Sequence, residues 1–362
     1  MNKLYHVFNA KKITNLRFNN QILELFSELN INKFEANLKR KDFPITLSIL
    51  ENISKRSSIR ASNLLEGIAN TYDTFSEITF IKDYECKYDN EKEILGYKNA
   101  YEYVFSNYKN LSLNEELLKT LHSILFEFVY CDEKGLYRSK NKIVKFQNRN
   151  MFSKVLYETQ FCDYKLIESS LKDLFEIYKN LFNNKKINNL ILIPCFISDF
   201  LNISPFFRGN GRISRLLILY LLLKFDYDVV KYVSFDKSIE LNQEIYFKGL
   251  KKSAIKWDKS LNSYNSFIYA FLYVLNESYK EFLKQISVKE SGKFNFKNKV
   301  NELIKRNYYP ITKNEIAFML PDVNLKTIES SLYDLLKEKK IKKIGTFKDA
   351  KYITNFQNNT KK

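Results

Sequence analysis

The sequence predicts a mainly α protein, and three observations lead to this fold class. Glycine and proline, which most often interrupt helices, number only 8 and 5 in 362 residues. Apolar residues make up 45% of the chain, enough to build a large packed core. They recur with helical period through most of the sequence. The length also predicts more than one domain.

The first two predicted domains are helical. Residues 1–90 form an N-terminal region with predicted helices over 20–29, 32–37, 44–54 and 57–71. Residues 91–286 form a core domain with predicted helices over 94–107, 115–130, 165–180, 190–201, 211–225, 239–252 and 263–285. A non-helical stretch at 135–161 interrupts them, and the alternating segment 142–146 predicts a strand or hairpin arm.

A change of pattern near residues 288–294 marks the start of a third domain, residues 294–362. Helices are predicted over 296–307, 312–320 and 325–339, followed by strands over 341–345 and 351–354 joined by a turn near Lys348. A T-x-x-E capping box at Thr312 and Glu315 opens the second helix. Three helices and a β-hairpin predict a winged helix-turn-helix domain.

The net charge favours a polyanionic partner. Lys and Arg exceed Asp and Glu by 59 to 41, so the formal charge is +18. Residues 293–362 hold 16 basic and 7 acidic residues, or half of this excess in a fifth of the chain. We therefore expect DNA binding through the third domain, although a solvated basic face or a protein-contact module would have the same composition. The predicted contact residues are the outward positions of its third helix and one wing lysine: Lys326, Thr327, Ser330, Tyr333 and Lys348.

Other sequence features restrict location and cofactors. The four cysteines are widely spaced and the N-terminus lacks an apolar targeting segment, so we expect reduced thiols and a cytoplasmic protein. The longest apolar run, residues 216–223, is far shorter than the roughly 18 residues that a membrane span needs. Only two histidines occur, which excludes a multi-histidine metal site.

The most informative segment is residues 203–215, which we call the arginine loop. Gly209, Asn210 and Gly211 form a tight turn directly before a helix. The free N–H groups and the dipole of a helix start favour an anion. Arg212 and Arg215 lie three residues apart and therefore share a helical face. The segment predicts a phosphate site, with a plain helix start beside surface arginines as the alternative.

The arginine loop resembles the Fic/Doc signature HPFx(D/E)GNGRxxR. Gly209, Asn210, Gly211, Arg212 and Arg215 match it, and residues 135–138 (GLYR) resemble the G-x-Y-R element before the family's β-hairpin flap. The resemblance extends over roughly residues 1–285. It implies a helical enzyme that transfers AMP from ATP to a protein hydroxyl. Nucleotide and a protein target are then the expected partners. Two-fold symmetric DNA binding would in addition need a homodimer.

Two further elements are implied by the same resemblance. Ser62, Glu66 and Gly67 match the family's inhibitory pattern (S/T)xxxE(G/N), in which the glutamate pairs with the second signature arginine, here Arg215. The expected inhibitory helix covers about residues 57–71. Ile143, Val144, Lys145 and Phe146 are the expected flap, which pairs with a target chain by strand addition, with an ordinary surface loop as the alternative.

The sequence departs from the signature at its two chemical positions. Ser204 replaces the histidine that serves as general base, and a serine hydroxyl is not basic near neutral pH. Arg208 replaces the acidic residue that holds Mg²⁺, so a Mg²⁺ site is doubtful and we predict no metal ligands. Arginine does offer N–H donors directly to phosphate.

These departures leave enzyme activity open. The first hypothesis is a degenerate Fic-type protein that binds nucleotide or phosphate and acts as a DNA-associated regulator. The second is an active adenylyltransferase, or a related phosphate-group transferase, that Glu66 inhibits. The third is a non-catalytic interaction module in which Glu66 and Arg215 hold helices together.

Overall fold

The fold is mainly helical, which confirms the predicted class. The computed structural model describes residues 6–81, 84–130, 133–147, 155–184, 186–287, 296–307, 309–321, 323–346 and 350–355. The helices are α1 (Ala10–Thr14), α2 (Asn20–Lys39), α3 (Pro44–Leu65), α4 (Tyr72–Phe80), α5 (Asp89–Asn107), α6 (Glu115–Leu125), α7 (Ile167–Asn184), α8 (Asn189–Ile203), α9 (Asn210–Lys224), α10 (Val229–Tyr232), α11 (Phe235–Leu241), α12 (Gln243–Ala254), α13 (Asn265–Ser287), α14 (Phe296–Arg306), α15 (Lys313–Met319) and α16 (Leu325–Lys337). The strands are β1 (Ile143–Gln147), β2 (Val155–Gln160), β3 (Ile311–Thr312), β4 (Ile341–Ile344) and β5 (Lys351–Thr354).

Helices α8 and α9 form the centre of the large apolar core. Helix α9 is buried on every side from residue 212 to residue 223, and α8 is almost as completely enclosed. A helix that is apolar all round is typical of a protein interior. The apolar run at residues 216–223 is therefore a core helix. Across the described ranges, no helix is both long enough and apolar enough to cross a membrane.

Helix α3 differs from its prediction. The two helices expected over 44–54 and 57–71 are one continuous helix, Pro44–Leu65. The charged residues at the expected break are partnered, since Lys55 pairs with Glu51 at 2.8 Å and Arg56 donates to Ser76 Oγ at 2.9 Å. The helix ends where Gly67 adopts a φ of +78°, a conformation that glycine tolerates best. Glu66 therefore caps α3 instead of lying within it.

Asparagines explain two other boundary differences. The predicted helices at 20–29 and 32–37 merge into α2, because the Asn30 side chain donates to the Phe26 carbonyl at 2.8 Å without ending the helix. The predicted helix at 239–252 divides into α11 and α12 at Asn242, whose φ is −119°. Asparagine side chains compete with backbone hydrogen bonds, so their effect on a helix depends on tertiary context.

The third predicted domain contains helices α14–α16 and a three-stranded antiparallel sheet in the order β3–β5–β4. We call its described part, residues 296–355, the C-terminal module. The predicted capping box is present, with Thr312 Oγ1 accepting from Glu315 N at 3.2 Å and Glu315 Oε2 accepting from Thr312 N at 2.7 Å. Strand β3 has two residues, too few for an alternating pattern to reveal. The predicted boundary at 288–294 and the turn at Lys348 lie outside the described residues.

Candidate functional site

The arginine loop contains the turn between α8 and α9 and the first residues of α9. One side chain closes this turn. Asn210 Oδ1 accepts from Phe206 N at 3.0 Å, and Asn210 Nδ2 donates to Phe206 O at 2.7 Å. Gly209 has a φ of +84°, and a Cβ there would lie 2.8 Å from the Phe126 ring. The turn therefore needs a glycine for its backbone angle and for its close packing.

Arg138 joins the loop to the segment around the hairpin. Its Nε donates to Ser204 O at 2.9 Å, and its Nη2 donates to Ile203 O at 3.2 Å and to Cys162 O. The Arg138 backbone N–H donates to Pro205 O at 2.9 Å. This residue of the GLYR segment thus holds the backbone of the arginine loop beside the chain that leaves β2. Ser204 itself is buried, and its backbone adopts the left-handed conformation with a φ of 47°.

Arg215 is a buried cation of the loop with several partners. Its Nε donates to Ser62 Oγ at 2.6 Å, and its Nη2 donates to Ser62 O at 3.0 Å and to Glu66 Oε1 at 2.7 Å. Asp236 Oδ1 lies 3.6 Å from Arg215 Nε on the interior side. The structure thus brings Ser62 and Glu66 to Arg215, which lies 153 and 149 residues later in the sequence.

Glu66 lies directly against the turn. A Cβ on Gly211 would be 2.3 Å from Glu66 Oε1, so the carboxylate would have to shift if any other residue stood at this position. Burial by itself would raise the pKa of Glu66, but the neighbouring Arg215 guanidinium outweighs it and holds the pKa below its usual range. Burial would likewise lower the pKa of Arg215, and the charge of Glu66 reverses that effect. The two groups are therefore an ion pair at neutral pH, while the Glu66 side chain keeps 30% exposure.

Glu93 on α5 is a site residue that the sequence analysis did not identify. Its Oε1 lies 2.5 Å from Arg208 Nη2, and its Oε2 lies 2.6 Å from Arg212 Nη2. Arg208, expected to face phosphate directly, is thus paired with a carboxylate 115 residues earlier in the chain. No local motif marks Glu93, because the pairing arises only from the packing of α5 against α9.

Arg212 is buried with incomplete hydrogen bonding. Its side chain is 3% exposed, and its Nε and Nη1 have no hydrogen-bond partner, although Nη2 is bound to Glu93. Burial lowers the pKa of Arg212, an effect that Glu93 opposes. Unpaired buried N–H groups are costly, so these donors indicate a place for an additional acceptor.

Lys142, just before β1, adds a cation from the hairpin side. Its Nζ donates to Phe207 O at 2.7 Å in the arginine loop. Burial and the nearby Arg138 charge lower the pKa of Lys142, whereas Glu66 opposes this shift. The segment before the hairpin therefore contacts the loop with a positive charge, which its sequence did not indicate.

His122 contacts the loop but has no free basic nitrogen. Its Nδ1 accepts from Gly135 N at 2.9 Å, and its Nε2 lies 3.3 Å from Arg208 O, to which it donates. The ring stacks on Phe206 with centroids 4.0 Å apart. Burial lowers the pKa of His122 to about 4. The imidazole is therefore a neutral structural group with both of its nitrogens engaged.

The residues at the loop do not fit the Mg²⁺ that the resemblance implies. Arg208 cannot ligate a metal, and the neighbouring carboxylate of Glu93 is engaged by two guanidinium groups. No cluster of three or more His, Cys, Asp or Glu side chains suited to a metal occurs among the residues that the structure covers. The arginine side chains and the backbone N–H groups of the loop are hydrogen-bond donors, and donors of this kind suit an anion.

The expected flap forms a hairpin in the backbone. Strand β1 contains Ile143, Val144, Lys145 and Phe146 and pairs antiparallel with β2, with Ile143 opposite Gln160. The pairing shifts register between Phe146 and Gln147. Residues 148–154, which connect the strands, lie outside the described ranges. The hairpin follows directly after Lys142 and therefore borders the arginine loop.

The predicted DNA-contact residues lie away from the loop, on α16. Lys326, Ser330 and Tyr333 are exposed, and Thr327 is half-buried. Lys342 and Lys343 on neighbouring β4 are also exposed. Lys348 lies outside the described residues. The structure thus leaves an aromatic residue and several lysines of α16 and β4 exposed, and does not join them to the arginine loop.

A helical fold with a glycine–arginine loop between two core helices and a short hairpin beside it is the arrangement that the resemblance to the Fic class implies. Residues 112–222 match the model of the Fic/DOC family. The chain therefore contains a Fic/DOC family domain, which includes the arginine loop, the GLYR segment and the hairpin. None of the curated proteins matches the sequence.

Solved structures show that the likeness extends beyond this domain. A Fic family protein from Desulfovibrio desulfuricans superposes with a TM-score of 0.62 at 17% identity, over 94% of this chain and 98% of that one. A Fic domain containing signaling protein from Bacteroides thetaiotaomicron gives 0.59 at 16% identity, over 76% and 100%. Fic-1 from C. elegans gives 0.54 at 12% identity, over 72% and 71%. At these identities the likeness establishes the fold alone.

We predict that neither histidine titrates near neutral pH, because burial lowers the pKa of both His6 and His122 to about 4. The unfolded chain then takes up protons first, near pH 6.5. The contribution of the histidines to the free energy of unfolding is complete above pH 6.5. It falls as the pH drops towards 4, by about 3 kcal/mol for each histidine. NMR titration and denaturation at several pH values measure this. His6→Gln leaves His122 as the only imidazole, and a midpoint near 6.5 for that group would contradict the structural role.

Proposed function

We propose that this Fic-domain protein binds the phosphates of a nucleotide at the arginine loop and has little ordinary AMP-transfer activity. The observation that carries the proposal is Arg212, a buried guanidinium with two unpartnered nitrogens beside the first turn of α9. Gly209, the N-cap, has no side chain to occupy the first N–H groups of that helix. A phosphate group would satisfy both sets of donors.

Glu66 and Glu93 are the internal competitors of such a ligand. Glu66 forms an ion pair with Arg215, and Glu93 pairs with Arg208 and with one nitrogen of Arg212. A nucleotide must compete with these carboxylates for the same donors. Glu66 is the more exchangeable of the two, because its side chain is 30% exposed at the end of α3, compared with 15% for Glu93. This supports an inhibitory role for the Ser62, Glu66 and Gly67 motif.

Weak chemistry follows from the groups around Ser204. Its hydroxyl is a poor base, and His122 already uses Nδ1 as an acceptor. The Fic resemblance implies that AMP transfer uses a histidine base at position 204 and an acidic residue at position 208, and this chain has neither. The loss of a general base alone reduces a rate by about 10²–10⁴. Binding is therefore retained while transfer is reduced.

Glu66→Ala should increase the affinity for ATP by at least about tenfold, since it removes the competitor for Arg215 and raises the binding-competent fraction. Calorimetry on the full chain, with and without Mg²⁺, measures this. Glu244→Ala on α12 is the matched control, because it removes the same charge at an exposed helical position. Arg215→Ala should abolish binding. If no heat is seen with ATP, ADP or GTP for any variant, and Arg215→Ala only lowers the melting temperature, the interaction-module hypothesis is correct instead.

The two departures from the signature should be reversible together. In a Glu66→Ala background, Ser204→His combined with Arg208→Asp should give protein labelling from labelled ATP, Mg²⁺ and lysate, whereas either change alone should give little. Histidine is among the residues that tolerate the left-handed backbone at position 204. The expected gain is about 10²-fold or more from the base. Robust labelling by the unmodified chain, lost in Arg215→Ala, would show that it is an active transferase.

DNA binding by the C-terminal module is the second proposed function. It is supported by the exposed Lys326, Ser330 and Tyr333 on α16 and by exposed lysines on the adjacent strand β4. A helix followed by a basic strand pair is the arrangement by which winged helix domains contact a groove and the flanking phosphates. A packing module would not need this face to be both exposed and basic.

The combined variant Lys342→Ala and Lys343→Ala should weaken binding of the full chain to a duplex at low salt. Each lost phosphate contact reduces the slope of log affinity against log salt by about 1. Fluorescence anisotropy at several salt concentrations measures the slope. Lys248→Ala with Lys252→Ala on α12 removes the same charge elsewhere and should leave the slope unchanged. An equal loss in both double variants would indicate nonspecific charge attraction rather than a defined DNA face.

A further inference from the structure

The C-terminal module shares its apolar core with the helix that leads to Glu66. Ile49 and Ile53 on α3 belong to the same buried cluster as Val300, Ile316 and Met319 of the module. Ile49 is fully buried there. A small domain whose core is completed by a neighbouring helix does not move independently of that helix.

Further contacts join the module to both arms of the hairpin formed by α3 and α4, which we call the α3–α4 hairpin. Asn52 Nδ2 donates to Met319 O at 3.1 Å. On α4, the Phe80 ring meets Phe318 edge to face, with centroids 4.9 Å apart. The module therefore contacts the hairpin on each side of the turn that follows Glu66.

Arg56 ties these contacts together at the middle of α3. Its Nη2 lies 3.5 Å from Glu315 Oε1 of the module and 2.9 Å from Ser76 Oγ of α4. The same guanidinium lies 3.9 Å from the centre of the Phe80 ring. One side chain thus links α3, α4 and α15 at a single point.

The tip of the α3–α4 hairpin holds the groups that occupy Arg215. Ser62 lies nine residues after Ile53 in a continuous helix, a separation of about 14 Å. On its inner side α3 is bound to the start of α11, where Ser58 Oγ donates to Ser234 Oγ at 2.8 Å. The α3–α4 hairpin is consequently bound on its inner side by α11 and on its outer side by the C-terminal module.

We propose that the C-terminal module is the outer half of the inhibitory device: it stabilises the position of the α3–α4 hairpin in which Glu66 occupies Arg215. Loosening the module then frees Arg215 for a phosphate ligand, and, because coupling is reciprocal, ligand at the arginine loop loosens the module. This rests on the proposed function, in which Glu66 competes with the nucleotide. The module would make occupancy of the arginine loop sensitive to whatever binds its exposed face.

The test weakens the contact between the C-terminal module and the α3–α4 hairpin without removing a buried core side chain. Asn52→Ala combined with Phe318→Ala removes one hydrogen bond and one ring pair, and Phe318 is 57% exposed. By calorimetry on the full chain, ATP affinity should rise about threefold to tenfold, the bias that two such contacts provide. Phe34→Ala is the matched control, since Phe34 is a 66% exposed phenylalanine on α2. Circular dichroism verifies that each variant is folded.

The Glu66→Ala background separates the two proposals. There the combined variant should produce no further rise, because the group that it releases is already absent. If Glu66→Ala does not change ATP affinity in the unmodified chain, the competition itself is wrong and this inference fails with it. If Glu66→Ala raises the affinity but the combined variant leaves it unchanged, or raises it equally in both backgrounds, only the role of the module is overturned.

Hydrogen exchange provides a second measurement that needs no substitution. Saturating ATP should speed amide exchange in α14 and α15 by about threefold or more, while exchange in α12 should not increase. Unchanged exchange in α14 and α15 at proven saturation would overturn the reciprocal coupling.

Discussion

This structure depends on one interaction, in which carboxylates from remote parts of the sequence neutralise buried arginines. Arg212 and Arg215 are almost fully enclosed, and an unpaired charge in such a position costs several kcal/mol. Glu93 supplies one partner and Glu66 the other. Together with Asp236, which lies 3.6 Å from Arg215 Nε, these two carboxylates permit the fold to bury its cationic loop. In the proposed function a phosphate ligand competes with Glu66 and Glu93 for the same donors.

The backbone of the loop is fixed independently of those charges. Asn210 closes the turn on Phe206, and Arg138 holds the carbonyl groups at the end of α8. His122 packs beneath it as a neutral ring. These contacts involve neither the guanidinium of Arg212 nor that of Arg215. The backbone of the loop is therefore held by groups other than the side chains at positions 204 and 208.

The position of α3 relates the loop to the rest of the molecule. One face of this helix contributes Ile49 and Ile53 to the core of the C-terminal module, and its end delivers Ser62 and Glu66 to Arg215. The expected break near residue 55 would have separated these two roles. Its absence makes α3 one continuous helix that contacts both the C-terminal module and the arginine loop, and the proposed coupling rests on this continuity.

The sequence by itself determined the helical class, the capping box at Thr312, the glycine turn at residues 209–211 and the candidate partner Glu66, because local propensity and a short motif carry that information. It did not reveal Glu93 or Lys142, and it placed Glu66 inside a helix. Those features depend on which side chains α5, α3 and the segment before the β1–β2 hairpin bring to the arginine loop. Tertiary packing alone decided them, since a buried guanidinium selects its partner by proximity in space, whatever the separation along the chain.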